Sequence, residues 1–284
     1  MLDKMIIGTV QFGLDYGINA DSAKKMPQKA CDEIMDIARA NGIKKLDTAE
    51  IYGDSIDKIG HYQRRNPPFE ILSKFHIPEN VYDTLTRSLT RLNVDSYHTI
   101  LAHRSEHFFA DSRVLSDLKR LKRERLVQHI GVSIYTNQEF EQAINNGFVD
   151  VIQFPFNLLD NLSQRGEMMR RAKSAGKILH ARSAYLQGMF LKEFPLPPKL
   201  QPIEKYIEKL RILCTENNIS MTSLCLEYAF QNSMIDNVVI GQHTASQLSD
   251  NICLIKNFKG GIYLTEVDDI CVREPKLLSP RNWN

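Results

Sequence analysis

In KKLDTAEIYG (44–53) a short strand-like run gives way to a loop, and two reactive side chains, Asp47 and Tyr52, fall at that transition. A barrel of parallel strands displays its chemistry at such junctions, the C-terminal ends of its strands. The arrangement recurs downstream. ILSKF (71–75) places Lys74 at a strand end, and TILAHRS (99–105) does the same with His103. A tyrosine that trades a proton near neutrality needs a neighbouring cation to lower its pKa, and that cation needs a counter-charge. Tyr52, Lys74 and Asp47 can fill those roles, which leaves His103 to orient a carbonyl oxygen.

Working outward, similar short β-branched runs appear at 5–10, 44–49, 69–74, 97–103, 128–133, 149–154, 177–182 and 236–241. Their near-continuous apolar character marks strands covered on both faces. The intervening segments carry helical periodicity at 27–41, 79–92, 112–124, 138–146, 164–175, 203–217, 220–231 and 245–255. Pro27 suits a first helical turn, Asn137 is a candidate cap, and Thr244 with Gln247 spells a capping box. Gly42, Gly147 and Gly176 mark helix ends. Strands alternating with helices predict a single (β/α)8 TIM barrel over 1–284, closed by crossovers of one hand. An open doubly wound sheet is the alternative, disfavoured because no Gly-x-Gly-x-x-Gly follows an early strand. The proline-rich segment GMFLKEFPLPPKLQP (188–202) reads as a structured loop or lid.

Composition narrows the class. The 284 residues are 43% hydrophobic and 25% charged, as in ordinary globular proteins. The net charge of +2 gives no footprint for nucleic acid, and KRLKRERL (119–126) reads as a solvated helix face. No apolar run is long enough for a membrane span, and the start lacks a secretory pattern. Five scattered cysteines predict reduced thiols and a cytoplasmic protein. His98, His103 and His107 do not compose a metal site, because His98 and His103 fall on opposite faces of one strand.

Taken in order, these motifs resemble the aldo-keto reductase family over nearly the whole chain. LDTAEIYG (46–53) is the most specific, joined by GTVQFG (8–13), ILSKF, LAHR (101–104), GVS (131–133), IQFPFN (152–157), RSAYLQG (182–188) and VVIGQHTASQLSDN (238–251). GTVQFGLDYGI and RSAYLQG are similar to a bacterial branch associated with surface-sugar or polysaccharide pathways. The resemblance implies hydride transfer between a nicotinamide dinucleotide and a carbonyl carbon. Tyr52 would be general acid in reduction and base in oxidation, Lys74 would lower its pKa, Asp47 would hold Lys74, and His103 would bond the substrate oxygen.

The resemblance also implies a cofactor site. Ser133 and Gln153 match positions for the nicotinamide carboxamide, although Ile134 stands where asparagine is common. Arg182, where an aromatic often stacks on the nicotinamide, brings a positive charge that favours the reduced cofactor or an anionic substrate group. Ser183, Leu186 and Gly188 complete the seventh loop. Gly241, Gln242, His243 and Thr244 lead into a helix start suited to phosphate, with Gln247, Asp250 and Asn251 beyond it. NADPH is the implied cofactor, with NADH open because Gly241, His243 and Gln247 hold no lysine or arginine. The implied partner is a small polar carbonyl compound or its alcohol, reached through loops carrying Arg104, Ser105, Glu106, His107, Phe156, Asn157, Tyr185 and Gln187. The tail DICVREPKLLSPRNWN (269–284) either folds over the pocket or packs on the barrel bottom. A dinucleotide-binding regulatory protein without catalysis is the rival from another class, set against the retention of all four reactive residues. A different TIM-barrel enzyme would need metal ligands or paired carboxylates, and neither pattern is present.

Overall fold

The structure, a computed structural model, describes residues 1–17, 25–76, 80–109, 112–261 and 263–283. Eight parallel strands close in chain order: β1 (Met5–Gly8), β2 (Lys45–Asp47), β3 (Glu70–Phe75), β4 (Tyr97–Ala102), β5 (Val127–Ser133), β6 (Val151–Pro155), β7 (Ile178–Arg182) and β8 (Asn237–Gly241). The register Met5↔Val238 to Gly8↔Gly241 joins β8 to β1 and excludes the open doubly wound sheet. The expected strands are all present, with ends displaced by no more than two residues. The first stops at Gly8 instead of residue 10, because Thr9 turns the chain and sends its hydroxyl to the Asp47 carbonyl at 2.9 Å. The short α1 (Val10–Gly13) follows immediately.

Amphipathic helices wrap the barrel: α2 (Gln28–Ala40), α3 (Ser55–Gln63), α4 (Val81–Leu92), α5 (Ser105–Phe109), α6 (Ser112–Arg123), α7 (Asn137–Asn145), α8 (Leu162–Ser174), α9 (Glu204–Glu216), α10 (Met221–Gln231), α11 (Ala245–Lys256) and α12 (Tyr263–Glu266). In α2 the stripe of Cys31, Ile34, Met35 and Ala38 is buried, and Gly42 beyond its end has a φ of +73°. Residue 79, the expected start of α4, lies outside the described residues. Asn137 is not the cap of α7. Thr136 is, accepting from the Glu139 N–H while the Glu139 carboxylate returns to the Thr136 N–H. At α11, Thr244 caps Gln247 as expected, but the Gln247 carbonyl returns to His243 N–H rather than to Thr244.

Helix α3 carries no legible apolar period, since it buries Ser55, Gly60 and Gln63 alongside Ile56, Ile59 and Tyr62. Gly60 explains why: a Cβ there would lie 1.8 Å from the Arg91 carbonyl oxygen, so α3 meets α4 backbone to backbone. Side chains at the start of α8 and in α9 hold the C-terminal tail. Asn161 Nδ2 donates to the carbonyls of Val267 and Ile270, Gln164 to that of Val272, and Tyr206 Oη to Glu274. The tail is thereby tied beside α8 and α9.

Strand alternation sorts the side chains. Leu46, Phe75, Ile100, Val132, Phe154 and Ala181 join the helix-facing core. One residue away in each strand, Asp47, Lys74, Leu101, Ser133, Gln153 and Arg182 take the inward parity. A polar interior at the strand ends therefore coexists with an apolar shell outside.

Gly60→Ala is expected to destabilise the protein by at least about 1–3 kcal/mol, the usual cost of overpacking. Urea midpoints at constant m-value check this, and an unchanged midpoint would contradict the close α3–α4 contact.

Candidate active site

Two motif glycines set the position of Tyr52. A Cβ on Gly13 would come 1.8 Å from the Tyr52 carbonyl oxygen, and one on Gly53 would come 2.3 Å from that of Gly13. Gly53 also has a φ of +55°, which favours glycine. The β2–α3 loop and the end of α1 therefore touch through bare backbone. Beneath them a hydroxyl chain runs from Thr48 to Ser55 at 3.1 Å, from Ser55 to Thr9 at 2.9 Å, and on to the Asp47 carbonyl. All three hydroxyls are buried. The loop carrying Tyr52 is thus fixed by packing and bonding on its lower side.

Inside the barrel Lys74 Nζ donates to Asp47 Oδ1, and both side chains are within 4% of full burial. Gln153 Nε2 holds the other carboxylate oxygen at 2.9 Å. Three strands, β2, β3 and β6, thus converge on one carboxylate. The Lys74 ammonium lies 5.4 Å from the Tyr52 ring centroid. His103 meets the same ring edge-on at 5.9 Å. His76 continues this line, 5.7 Å from His103 and 5.2 Å from His107. The three expected partners of Tyr52 are assembled, and His76 is an addition.

The electrostatics differ from expectation. Burial first, and the Asp47 charge second, push the Tyr52 phenol well above its ordinary value, while Arg182 pulls the other way. Burial likewise lowers the Lys74 ammonium, with Asp47 opposing. Because Lys74 is neutralised by Asp47, it does not lower Tyr52 in this state.

Arg182 lies over Tyr135, its guanidinium carbon 4.2 Å from the ring centroid. It donates to the Ile134 carbonyl at 3.0 Å and to Ser183 Oγ at 3.3 Å. Ser183, Leu186 and Gln187 all have left-handed backbones without being glycine, and Gly188 follows at a φ of +90°. Such conformations concentrate at ligand sites. Gln187 Nε2 bonds Tyr16 Oη at 2.8 Å, and Gly17 lies near His243 Nε2, so the segment after α1 bridges the β7 and β8 loops.

At the β8 end Gln242 is 1% exposed, yet neither polar atom of its amide has a partner. The Gln11 amide abuts Gly241, where a Cβ would meet it at 2.8 Å, and its Oε1 is also unmatched. Asn251 is buried, with its carbonyl taken by Tyr185 Oη at 2.7 Å. His243, Thr244, Gln247 and Asp250 are exposed on the same rim. Among the described residues no group of three or more His, Cys, Asp or Glu is arranged to hold a metal ion, and no helix is long and apolar enough to cross a membrane.

The model of the aldo/keto reductase family matches residues 4–259. The chain belongs to this family. Among its relatives are L-galactose dehydrogenase of Arabidopsis thaliana, 25% identical over 187 residues, and aldo-keto reductase str7 of Strobilurus tenacellus, 24% identical over 184. These alignments cover 62% and 60% of this chain but only 58% and 54% of the relatives' lengths. An aldo-keto reductase from Bacillus halodurans in its holo form shares the fold at a TM-score of 0.77, with 15% identity over 95% of this chain and 94% of that one.

A dinucleotide, the group such a family member would carry, fits the residues present. Unmatched buried amides at Gln11 and Gln242 need an external partner. Gly241 keeps the adjoining backbone open, and the left-handed β7 loop faces the same rim. The residues that this family member did not announce by sequence are Gln11, Tyr16, His76 and Tyr135. Gln11 lay within the GTVQFG motif without being singled out, and the other three depend on loop paths.

Gly13→Ala should displace Tyr52 and lower kcat by tenfold or more, while cofactor affinity holds, on the scale of a positional error of about 1 Å. Kinetics and cofactor titration on the folded variant check it. Lys74→Met strands the buried Asp47 charge and should cost about 3–5 kcal/mol of stability. It should also move the alkaline limb of alcohol oxidation to higher pH, since Asp47 then acts on Tyr52 unopposed. An unmoved limb would contradict the coupling.

Proposed function

We propose that this protein reduces an aldehyde or ketone to the alcohol with NADPH as hydride source, and catalyses the reverse oxidation. The observation that carries this reading is the convergence of Tyr52, His103 and the buried Lys74–Asp47 pair at one end of the barrel. When bound, the nicotinamide dinucleotide supplies the hydride. Gln11, Ser133, Gln153, the Ser183–Leu186–Gly188 loop, and the rim of Gly241, Gln242, His243, Thr244, Gln247, Asp250 and Asn251 would hold it.

The chain's own residues handle the proton. A phenol held above its ordinary pKa is fully protonated at neutral pH, so Tyr52 enters reduction as a donor. Its O–H donates to the carbonyl oxygen, and the proton moves as negative charge builds there. His103 donates a second hydrogen bond to that oxygen and fixes its direction. After transfer, the Arg182 guanidinium is the charge that favours the phenolate. In oxidation the sequence reverses, so that direction needs the deprotonated phenol and gains with rising pH.

The similarity to L-galactose dehydrogenase supports a sugar-derived carbonyl as substrate, in keeping with the surface-sugar branch that the sequence resembles. Free thiols at Cys31, Cys214, Cys225, Cys253 and Cys271 support a cytoplasmic setting.

Tyr52→Phe should lower kcat at least a hundredfold, within the range of roughly 10²–10⁴ for a lost general acid, while the NADPH Kd changes less than threefold. Steady-state rates with fluorescence titration test this, and turnover within tenfold of the parent would sink the assignment. For cofactor choice, Gln247→Arg should raise the ratio of NADH to NADPH dissociation constants about tenfold. The Gln247 bond to His243 N–H is lost for both cofactors and cancels in that ratio. An unchanged ratio would place the 2′-phosphate elsewhere.

A further inference from the structure

Arg182 is a half-buried cation without an anion. Among the described residues no carboxylate lies within ion-pair distance of its guanidinium, whose polar partners are one backbone carbonyl and one hydroxyl. Two of its five N–H groups are thus used. Lys74, the other cation of the barrel mouth, is matched by Asp47, and Asp47 is bound on both oxygens. The groups facing the space around Tyr52 are otherwise the phenols of Tyr16 and Tyr135 and the imidazoles of His103 and His76. Among the described residues, the mouth therefore carries one positive charge with no matching anion.

The placement of that charge is built. Arg182 ends β7 on the inward parity and lies over Tyr135. Tyr135 is anchored through its carbonyl, which accepts from Arg165 Nη2 at 2.5 Å. Arg165 in turn forms a buried bidentate pair with Asp160, at 2.6 and 2.9 Å, and donates to Asn137 Oδ1 at 2.8 Å. The far side of Arg182 is turned by the left-handed Ser183. A guanidinium so fixed keeps its free N–H groups in one geometry, the condition for reading a planar carboxylate rather than a diffuse charge.

We propose that Arg182 binds a carboxylate on the substrate, so that the carbonyl compounds this protein prefers are acids. The inference rests on the reductase reading given above and names its substrate class. A carboxylate there neutralises the mouth, and it tethers the molecule at a second point besides the carbonyl oxygen held by Tyr52 and His103. Selection then works through KM and through orientation. An uncharged analogue leaves the guanidinium buried without its partner, which disfavours that analogue.

The test uses matched probes with the full-length protein and NADPH: succinic semialdehyde against 4-oxobutanamide, and glucuronate against glucose. Wild type should show kcat/KM at least about tenfold higher for the acid of a pair. Arg182→Gln should erase that preference by raising KM for the acid selectively, with any change in kcat shared by both members of a pair. Arg182→Lys should restore part of it. NADPH dissociation constants, measured by fluorescence, should be unchanged in both variants. Succinate should inhibit wild type competitively against the aldehyde where succinamide does not, a readout that survives if the variants fail to fold. Equal rates on both members of each pair, or inhibition by both diacid and diamide alike, overturns the carboxylate site and leaves the reductase reading standing. A loss of NADPH affinity in Arg182→Gln with the acid preference intact also overturns it, and returns Arg182 to the cofactor. Binding of NADPH with no oxidation of it by any probe removes the reductase reading and this inference together.

Discussion

The ion pair between Lys74 and Asp47 is the constraint on which the rest of the site depends. Burying both charges is costly, and their attraction offsets that cost only if their remaining hydrogen-bonding capacity is filled. Gln153 fills part of it by binding the second carboxylate oxygen from across the barrel. Strands β2, β3 and β6 are thereby held at one level, and the interior at that level must be polar. The same pairing means that Lys74 presents little net charge to Tyr52. Desolvation therefore governs the phenol and keeps it protonated, the state in which it can donate.

Around this pair the fold supplies position rather than charge. Gly13 and Gly53 allow two loops to touch through backbone, and the hydroxyls of Thr9, Thr48 and Ser55 tie the same loops from below. These residues belong to GTVQFG and LDTAEIYG, the motifs most legible in the sequence. Their small side chains are explained by close approach, just as their reactive ones are explained by chemistry. Motif and proposed mechanism coincide here because Tyr52 lies on a loop whose close backbone contact admits only glycine at Gly13 and Gly53.

What was legible followed from period and from strand ends. Near-continuous apolar runs marked all eight strands, their ends marked Asp47, Lys74 and His103, and the family resemblance marked Ser133, Gln153 and Arg182. Helix α3 was hidden because its contact face uses Gly60 and Ser55, which carry no hydrophobic signal. His76 and Tyr135 escaped for a different reason: each lies just past a strand, and only the path of the loop brings it to the site. Arg182 was visible as a charge, but its lack of a counter-ion was not, since that is a property of everything around it. Asn251 shows the converse: expected at the cofactor rim, it is buried with its carbonyl held by Tyr185.

The central claim is that the barrel mouth delivers a hydride from a nicotinamide to the carbon, and a proton from Tyr52 to the oxygen, of one carbonyl group. Deuterium transfer tests it most directly. NADPH deuterated in turn on each face of nicotinamide C4 is incubated with wild-type protein and an acidic aldehyde, and the product is examined by mass spectrometry. The account predicts an alcohol carrying one deuterium on its carbinol carbon from one of the two labelled cofactors and none from the other. An alcohol without deuterium from either, or no alcohol despite bound cofactor, would contradict it.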